Sequence, residues 1–141
     1  MADQAAGFET VDHTAEVGLR AWGPDLAAAF VQAARGLFSL LVPLERVQPV
    51  RQREFAIAAE DLEGLLVAWL EELLFVFETE RLVFADFTVS RPSRTALQAW
   101  AWGEPFDPAR HRGGVAVKAV TYHRLAVVEG PPARVEVILD V

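Results

Sequence analysis

Apolar and polar positions change period several times along the chain, and each change marks an element. Val17, Leu19 and Ala21 alternate with Glu16, Gly18 and Arg20, the two-residue period of a half-buried strand. They belong to an extended run from about Phe8 to Trp22 that breaks near His13–Thr14. Gly23-Pro24 ends the run, and Asp25 stands where a helix N-cap belongs. From there Leu26, Phe30, Ala33, Leu37 and Leu41 recur at helical spacing, until Pro43 stops the helix. A strand is expected near Val50–Ala58, where Phe55 and Ile57 alternate with Glu54 and Ala56. Asp61 then opens a second helix. Leu65, Leu66, Trp69, Leu70 and Leu73 give it a wide apolar face opposite Glu63, Glu71, Glu72 and Glu78, and it should end near Thr79–Arg81.

Beyond Leu82 the pattern is almost wholly β. Strands are expected at Leu82–Ser90, Thr95–Trp102, Val117–Val128 and Ala133–Val141. Arg91-Pro92-Ser93 and Glu129-Gly130-Pro131-Pro132 supply turns, and Pro105 to Gly114 reads as an irregular loop with exposed charge suited to partner contact. Two helices set among many strands predict an α+β fold. The expected form is a two-layer sandwich, two helices on one face of a mainly antiparallel sheet. No repeat or long linker divides the chain, so residues 1–141 are expected to form one domain.

Composition narrows what such a domain can do. Its 13 basic and 20 acidic residues leave a net charge of −7, and 52% of the chain is hydrophobic. That excludes intrinsic disorder. It also argues against tight, unaided binding of RNA, an affinity that rests on Lys and Arg neutralising phosphates. With no cysteine, disulfides, thiolate nucleophiles and Cys-type metal sites are excluded. No apolar run approaches the ~18 residues of a membrane span, and the first ten residues lack the pattern of a signal peptide. A cytoplasmic protein without a membrane partner is the expectation.

Candidate chemistry is sparse. There is no phosphate-binding glycine loop, no nucleophile elbow and no His-Glu-x-x-His, and none of the three serines neighbours a histidine. The densest cluster is Asp12-His13-Thr14-Ala15-Glu16, at the break before a strand. Asp12 and Glu16 are hard oxygen donors for Ca²⁺ or Mg²⁺ with His13 beside them; an Asx-type turn and a solvated Glu16 explain the same string. At the other end Asp140 precedes Val141. If the last strand is tied into the sheet, Asp140 and the Val141 carboxylate make an anionic pair that calls for a cation. Lys118, the one lysine, falls in an apolar strand, either reaching to a rim or standing as a fixed cation beside the carboxylates.

Taken together and in order, five stretches resemble the archease family. They are Asp12-His13-Thr14-Ala15-Glu16; Ala29-Phe30, Ala33-Ala34 and Leu37-Phe38; Leu65 to Leu74; Val117-Lys118-Ala119-Val120-Thr121-Tyr122-His123; and Leu139-Asp140-Val141. The resemblance implies a domain related to the strand-helix-strand-strand module. It further implies an accessory protein, not itself a catalyst, of the RNA ligase RtcB, which joins 2′,3′-cyclic-phosphate or 3′-phosphate ends to 5′-hydroxyl ends in tRNA splicing and RNA repair. Such a protein promotes guanylylation of the ligase and multiple turnover. The resemblance also implies a divalent metal, usually Ca²⁺ with Mg²⁺ or Mn²⁺ as alternatives, held by Glu16, Asp140 and Val141, with Asp12, His13 and Lys118 in support. Glu16 stands where the family commonly has Asp; its extra methylene moves the carboxylate by about one C–C bond, which the loose geometry of Ca²⁺ tolerates better than that of Mg²⁺. A metal-dependent phosphoesterase built on Glu16, Asp12 and His13 is a competing expectation. A general binding or chaperone module using Trp69, Trp100 and Trp102 is another.

Overall fold

The computed structural model describes residues 6–90 and 93–141. β1 (Gly7–His13) and β2 (Glu16–Gly23) form an antiparallel hairpin joined by Thr14 and Ala15. A two-residue turn demands left-handed backbone, and Ala15 supplies it at φ 64°. α1 (Leu26–Leu41) begins at Asp25, whose Oδ1 accepts the Ala28 N–H at 2.8 Å, and closes at Val42, before Pro43. A 3₁₀ turn, Leu44–Arg46, leads into β3 (Arg51–Ala58). α2 (Leu62–Glu80) is capped by Asp61, which accepts the Gly64 N–H at 2.7 Å, and ends where Arg81 turns left-handed. β4 (Leu82–Ser90), β5 (Ala96–Pro105), the single turn α3 (Pro108–His111), β6 (Ala119–Val128) and β7 (Ala133–Asp140) complete the order. Arg91 and Pro92, assigned to a turn from sequence, lie outside the described residues.

The α+β class holds, and every strand pairing is antiparallel. The strands fall into two sheets instead of one, ordered β1-β2-β7-β6 and β3-β5-β4. The reason lies in α2. Leu65, Leu66, Val67, Trp69 and Leu70 are all fully buried, an arc too wide for one sheet to cover. Both helices therefore touch both sheets, α1 chiefly through β2 and β4, α2 through β6 and β3. From the first sheet Leu19, Val137 and Leu139 point into this core, and from the second Val83 and Phe84. Edge-on aromatic contacts tie the layers, Phe38 to Phe84 at 5.7 Å and Trp69 to Phe55 at 5.6 Å. Trp69 also donates its indole N–H to the Phe30 carbonyl at 3.1 Å. It is thus a core residue rather than part of an exposed binding face, while Trp100 stays 38% exposed.

Three stretches depart from expectation. β5 runs on to Pro105, and the stretch after it, though largely exposed, contains the helical turn α3 and buries His111. Lys118 lies just before β6, not inside it. The β6–β7 ladder is broken between Thr121 and Ala126, so the strand expected at Val117–Val128 does not alternate without interruption.

Candidate metal centre at the β2–β7 strand ends

β2 and β7 are central neighbours in their sheet, and their register decides which side chains meet. Val17 faces Leu139 across the ladder and Leu19 faces Val137; both pairs are buried against the helices. By the period of two, the next pair, Glu16 and Asp140, is on the outer face. Directly opposed residues hold their Cβ atoms about 5 Å apart, so two carboxylates from opposite ends of the chain become neighbours. The end of β7 is tied down. Val141 N–H donates to the Ala15 carbonyl at 3.1 Å, and Lys118 N–H to the Asp140 carbonyl at 2.7 Å. Asp140 is therefore fixed from both flanking strands, not frayed.

The supporting residues divide. His13 faces Glu16 across β1–β2 and extends the row to His13–Glu16–Asp140. Asp12 faces Val17 instead, which puts it on the helix side of the sheet. There it lines a hollow of about 620 Å³ with His13, Ser39, Arg112 and Val141. Lys118 reaches the site through its backbone alone. Its side chain borders a separate hollow beside Glu71, Glu72 and Glu78, and it forms no ion pair among the described residues. The expectation of a fixed ammonium neutralising the carboxylates is therefore not met.

The donor set suits a hard cation. Among the described residues neither Glu16 nor Asp140 has a side-chain hydrogen bond or ion-pair partner. Two like charges held at neighbouring positions without a counter-charge favour a divalent ion between them. No group of three or more His, Cys, Asp or Glu side chains gathers there or elsewhere among the described residues. Side chains thus offer two oxygen donors, and Val141 follows Asp140 directly in the chain. Cations that keep bound water accept so short a protein set.

A model of the Archease protein family (MTH1598/TM1083) matches residues 8–141. The chain belongs to the archease family. It is 40% identical over 121 residues to Protein archease of Sulfurisphaera tokodaii, covering 85% of this chain and 87% of that one. It is 37% identical over 130 residues to Protein archease of Pyrococcus furiosus, with 90% and 92% covered. The solution structure of Methanobacterium thermoautotrophicum protein 1598 superposes with a TM-score of 0.83 at 34% identity, over 96% of this chain and 99% of that one. No helix among the described residues of this archease is long and apolar enough to cross a membrane.

Sequence reasoning missed a second charged cluster. In this archease Glu104, at the end of β5, is 5% exposed, and His111 of α3 is fully buried. Arg110 grips both oxygens of Glu104 at 2.9 and 2.8 Å and also donates to the Arg46 carbonyl. Gln48 N–H donates to Glu104 Oε2 at 2.9 Å. His111 accepts the Asp107 N–H on Nδ1, so its proton is on Nε2, which donates to Glu104 Oε2 at 2.9 Å. The bidentate Arg110 contact is the main cause that holds the Glu104 carboxyl at about 2; burial opposes it, and the donors from Gln48 and His111 add to it. The signal was available in the string Glu104 to His111, whose charges sit at close spacing. Reading it as a solvated loop hid it.

Proposed function

We propose that this archease is an activator of an RtcB-type RNA ligase, promoting guanylylation and repeated turnover in tRNA splicing and RNA repair. It would do so with a divalent cation, Ca²⁺ first, held by Glu16, Asp140 and Val141. The observation that carries the reading is the cross-strand pairing of Glu16 with Asp140, because it joins the two ends of the family's motif set in one uncompensated anionic site. When bound, the cation would supply a positive centre attractive to phosphate oxygens on a partner. The protein's own residues position it. The Ala15 turn and the Val141 N–H contact lock the two strand ends in register, and His13 borders the pair. Lacking a serine–histidine or cysteine nucleophile pair, the chain is suited to assist a ligase more than to act alone.

The test is ligation of a 3′-phosphate RNA to a 5′-hydroxyl RNA by limiting ligase from the same source, with GTP and metal. Addition of this protein should raise ligations per ligase and the guanylylated fraction. Glu16→Ala and Asp140→Ala should abolish the gain while remaining folded. If both variants stimulate as wild type does, these residues are not the functional site; if wild type never stimulates, the ligase reading is wrong.

A further inference from the structure

The β6–β7 ladder is interrupted in the middle of β6. Thr121 pairs with Ile138 and Ala126 with Glu136, so β6 advances from 121 to 126 while β7 moves from 138 to 136. Residues 122–125 therefore leave the ladder as a bulge. The bulge is built, not loose. Thr121 Oγ1 donates to the Ile138 carbonyl at 2.9 Å and accepts the His123 N–H at 3.2 Å, clamping one side. Leu125 packs partly buried against the core on the other. Between them Arg124 adopts φ 53°, a left-handed conformation that a side chain rarely takes without compensation. Bulges of this kind re-aim side chains, and here Tyr122 is left 66% exposed with His123 and Arg124 also in solvent. None of the three has a side-chain hydrogen-bond or ion-pair partner among the described residues.

We propose that the bulge Tyr122-His123-Arg124 is a nucleotide-recognition element, the base stacking on Tyr122 and phosphate oxygens bonding to Arg124 and His123. An aromatic face beside a guanidinium and an imidazole is the donor set that a nucleotide matches, since every base has a π face and every phosphate accepts charged donors. Position supports the choice. Ala119 faces Asp140 across the ladder, and Tyr122 follows three residues later, about 10 Å along the strand. The bulge therefore lies about one nucleotide length along the strand from the Glu16–Asp140 pair, near enough for the charge of a cation there to act on a phosphate held at the bulge. The overall charge of −7 disfavours a long RNA, which leaves a mononucleotide or the terminal nucleotide of an RNA as sources of the same chemistry. The cation part of this inference rests on the metal reading above; the bulge part does not.

Amide chemical-shift titration of the full chain tests it, with GMP, guanosine and a short single-stranded RNA bearing a 3′-phosphate, each with and without Ca²⁺. GMP should shift residues 121–125 saturably, guanosine much less, and Ca²⁺ should tighten GMP. Binding of GMP alone assigns a mononucleotide; binding of the RNA as well assigns a terminal nucleotide. Tyr122→Ala and Arg124→Gly should each weaken binding about tenfold. Arg124→Gly is the cleaner variant, because glycine keeps the left-handed backbone and hence the bulge. Unchanged affinity in both variants, or no shifts at 121–125 with any probe, overturns the inference. So does loss of ligase stimulation in variants that bind all probes as wild type does, an outcome that makes the bulge a protein-docking surface. Nucleotide binding that depends on Tyr122 in a protein that never stimulates the ligase upholds the bulge and rejects the activator reading.

Discussion

The two charged clusters of this protein are opposites in how their charges are satisfied. Both carboxylate oxygens of Glu104 have internal partners: a bidentate guanidinium, a backbone N–H and an imidazole N–H converge on this one buried group. At the β2–β7 strand ends two half-buried carboxylates face each other with no internal counter-charge among the described residues. A closed network fixes structure, because any loss leaves buried donors unpaired. An open one costs folding energy and gains it back only when something binds. Burial alone singles out Glu104; the lack of internal partners singles out Glu16 and Asp140 as the pair left open to a ligand.

The largest predicted effect breaks the closed network. Glu104→Ala strands the Gln48 N–H and the Arg110 guanidinium without their carboxylate and leaves the His111 Nε2–H only the Arg46 carbonyl at 3.2 Å, and each unsatisfied buried donor costs about 1–3 kcal/mol. A loss of about 3 kcal/mol in urea unfolding at neutral pH is expected, against less than about 0.5 kcal/mol for Glu16→Ala or Asp140→Ala in metal-free buffer. The pH dependence carries the same contrast. A carboxyl lowered to about 2 from 4.5 stabilises the fold fully above pH 4.5 and loses that contribution as pH falls through 2. Glu104→Gln should therefore show a flatter decline in stability across that window than wild type. Equal slopes would mean that Glu104 is not held as described.

The second effect appears only with metal. A ligand that binds the folded state alone adds about 2.7 kcal/mol at a hundred times its dissociation constant. Saturating Ca²⁺ should raise the melting temperature of wild type and leave Glu16→Ala and Asp140→Ala unmoved, with calorimetric titration as the independent readout. Glu16→Asp should bind more weakly or more tightly but still bind, since it changes reach and not charge. A wild-type protein indifferent to Ca²⁺, Mg²⁺ and Mn²⁺ would leave the open carboxylates without a ligand and remove the contrast.

How legible these features were in the sequence follows from the range of the interactions that make them. Caps and stops are local, so Asp25, Pro43 and Asp61 marked both helices within a residue or two. Sheet partnership is not local. The alternation at Phe55 and at Leu19 looks the same, yet these strands belong to different sheets, and only the wide buried arc of α2 shows why two were needed. Glu16 and Asp140 were singled out by their own residue types and by resemblance, and the register then placed them together. Lys118 was misjudged because a period-two reading assumes an unbroken strand, and the strand starts after it and bulges three residues on. The Glu104 cluster was overlooked because its local members Arg110 and His111 were read as part of a solvated loop, and the groups at Arg46 and Gln48 that help bury it lie more than fifty positions away, where no spacing rule connects them.

The smallest effect concerns the turn that joins the two halves of the open site. Ala15 is left-handed at φ 64°, a conformation that costs an alanine about 1 kcal/mol through the contact of its Cβ with the backbone. Glycine removes that contact but loses about 0.5–1 kcal/mol more conformational freedom on folding. The two terms nearly cancel, so Ala15→Gly should change stability by less than about 0.5 kcal/mol, in the stabilising direction if sterics dominate. Metal affinity should respond differently. The Ala15 carbonyl anchors Val141 N–H, and Glu16 follows at once, so a turn with more freedom holds the donors less firmly. The expected outcome is an unchanged melting temperature without metal and a Ca²⁺ affinity a few-fold weaker, read by calorimetry beside wild type. An affinity that stays constant would mean that the β2–β7 ladder alone sets the geometry of the carboxylates. A fall in both quantities would mean that the alanine itself is packed, which would set this turn with the closed network and not with the open one.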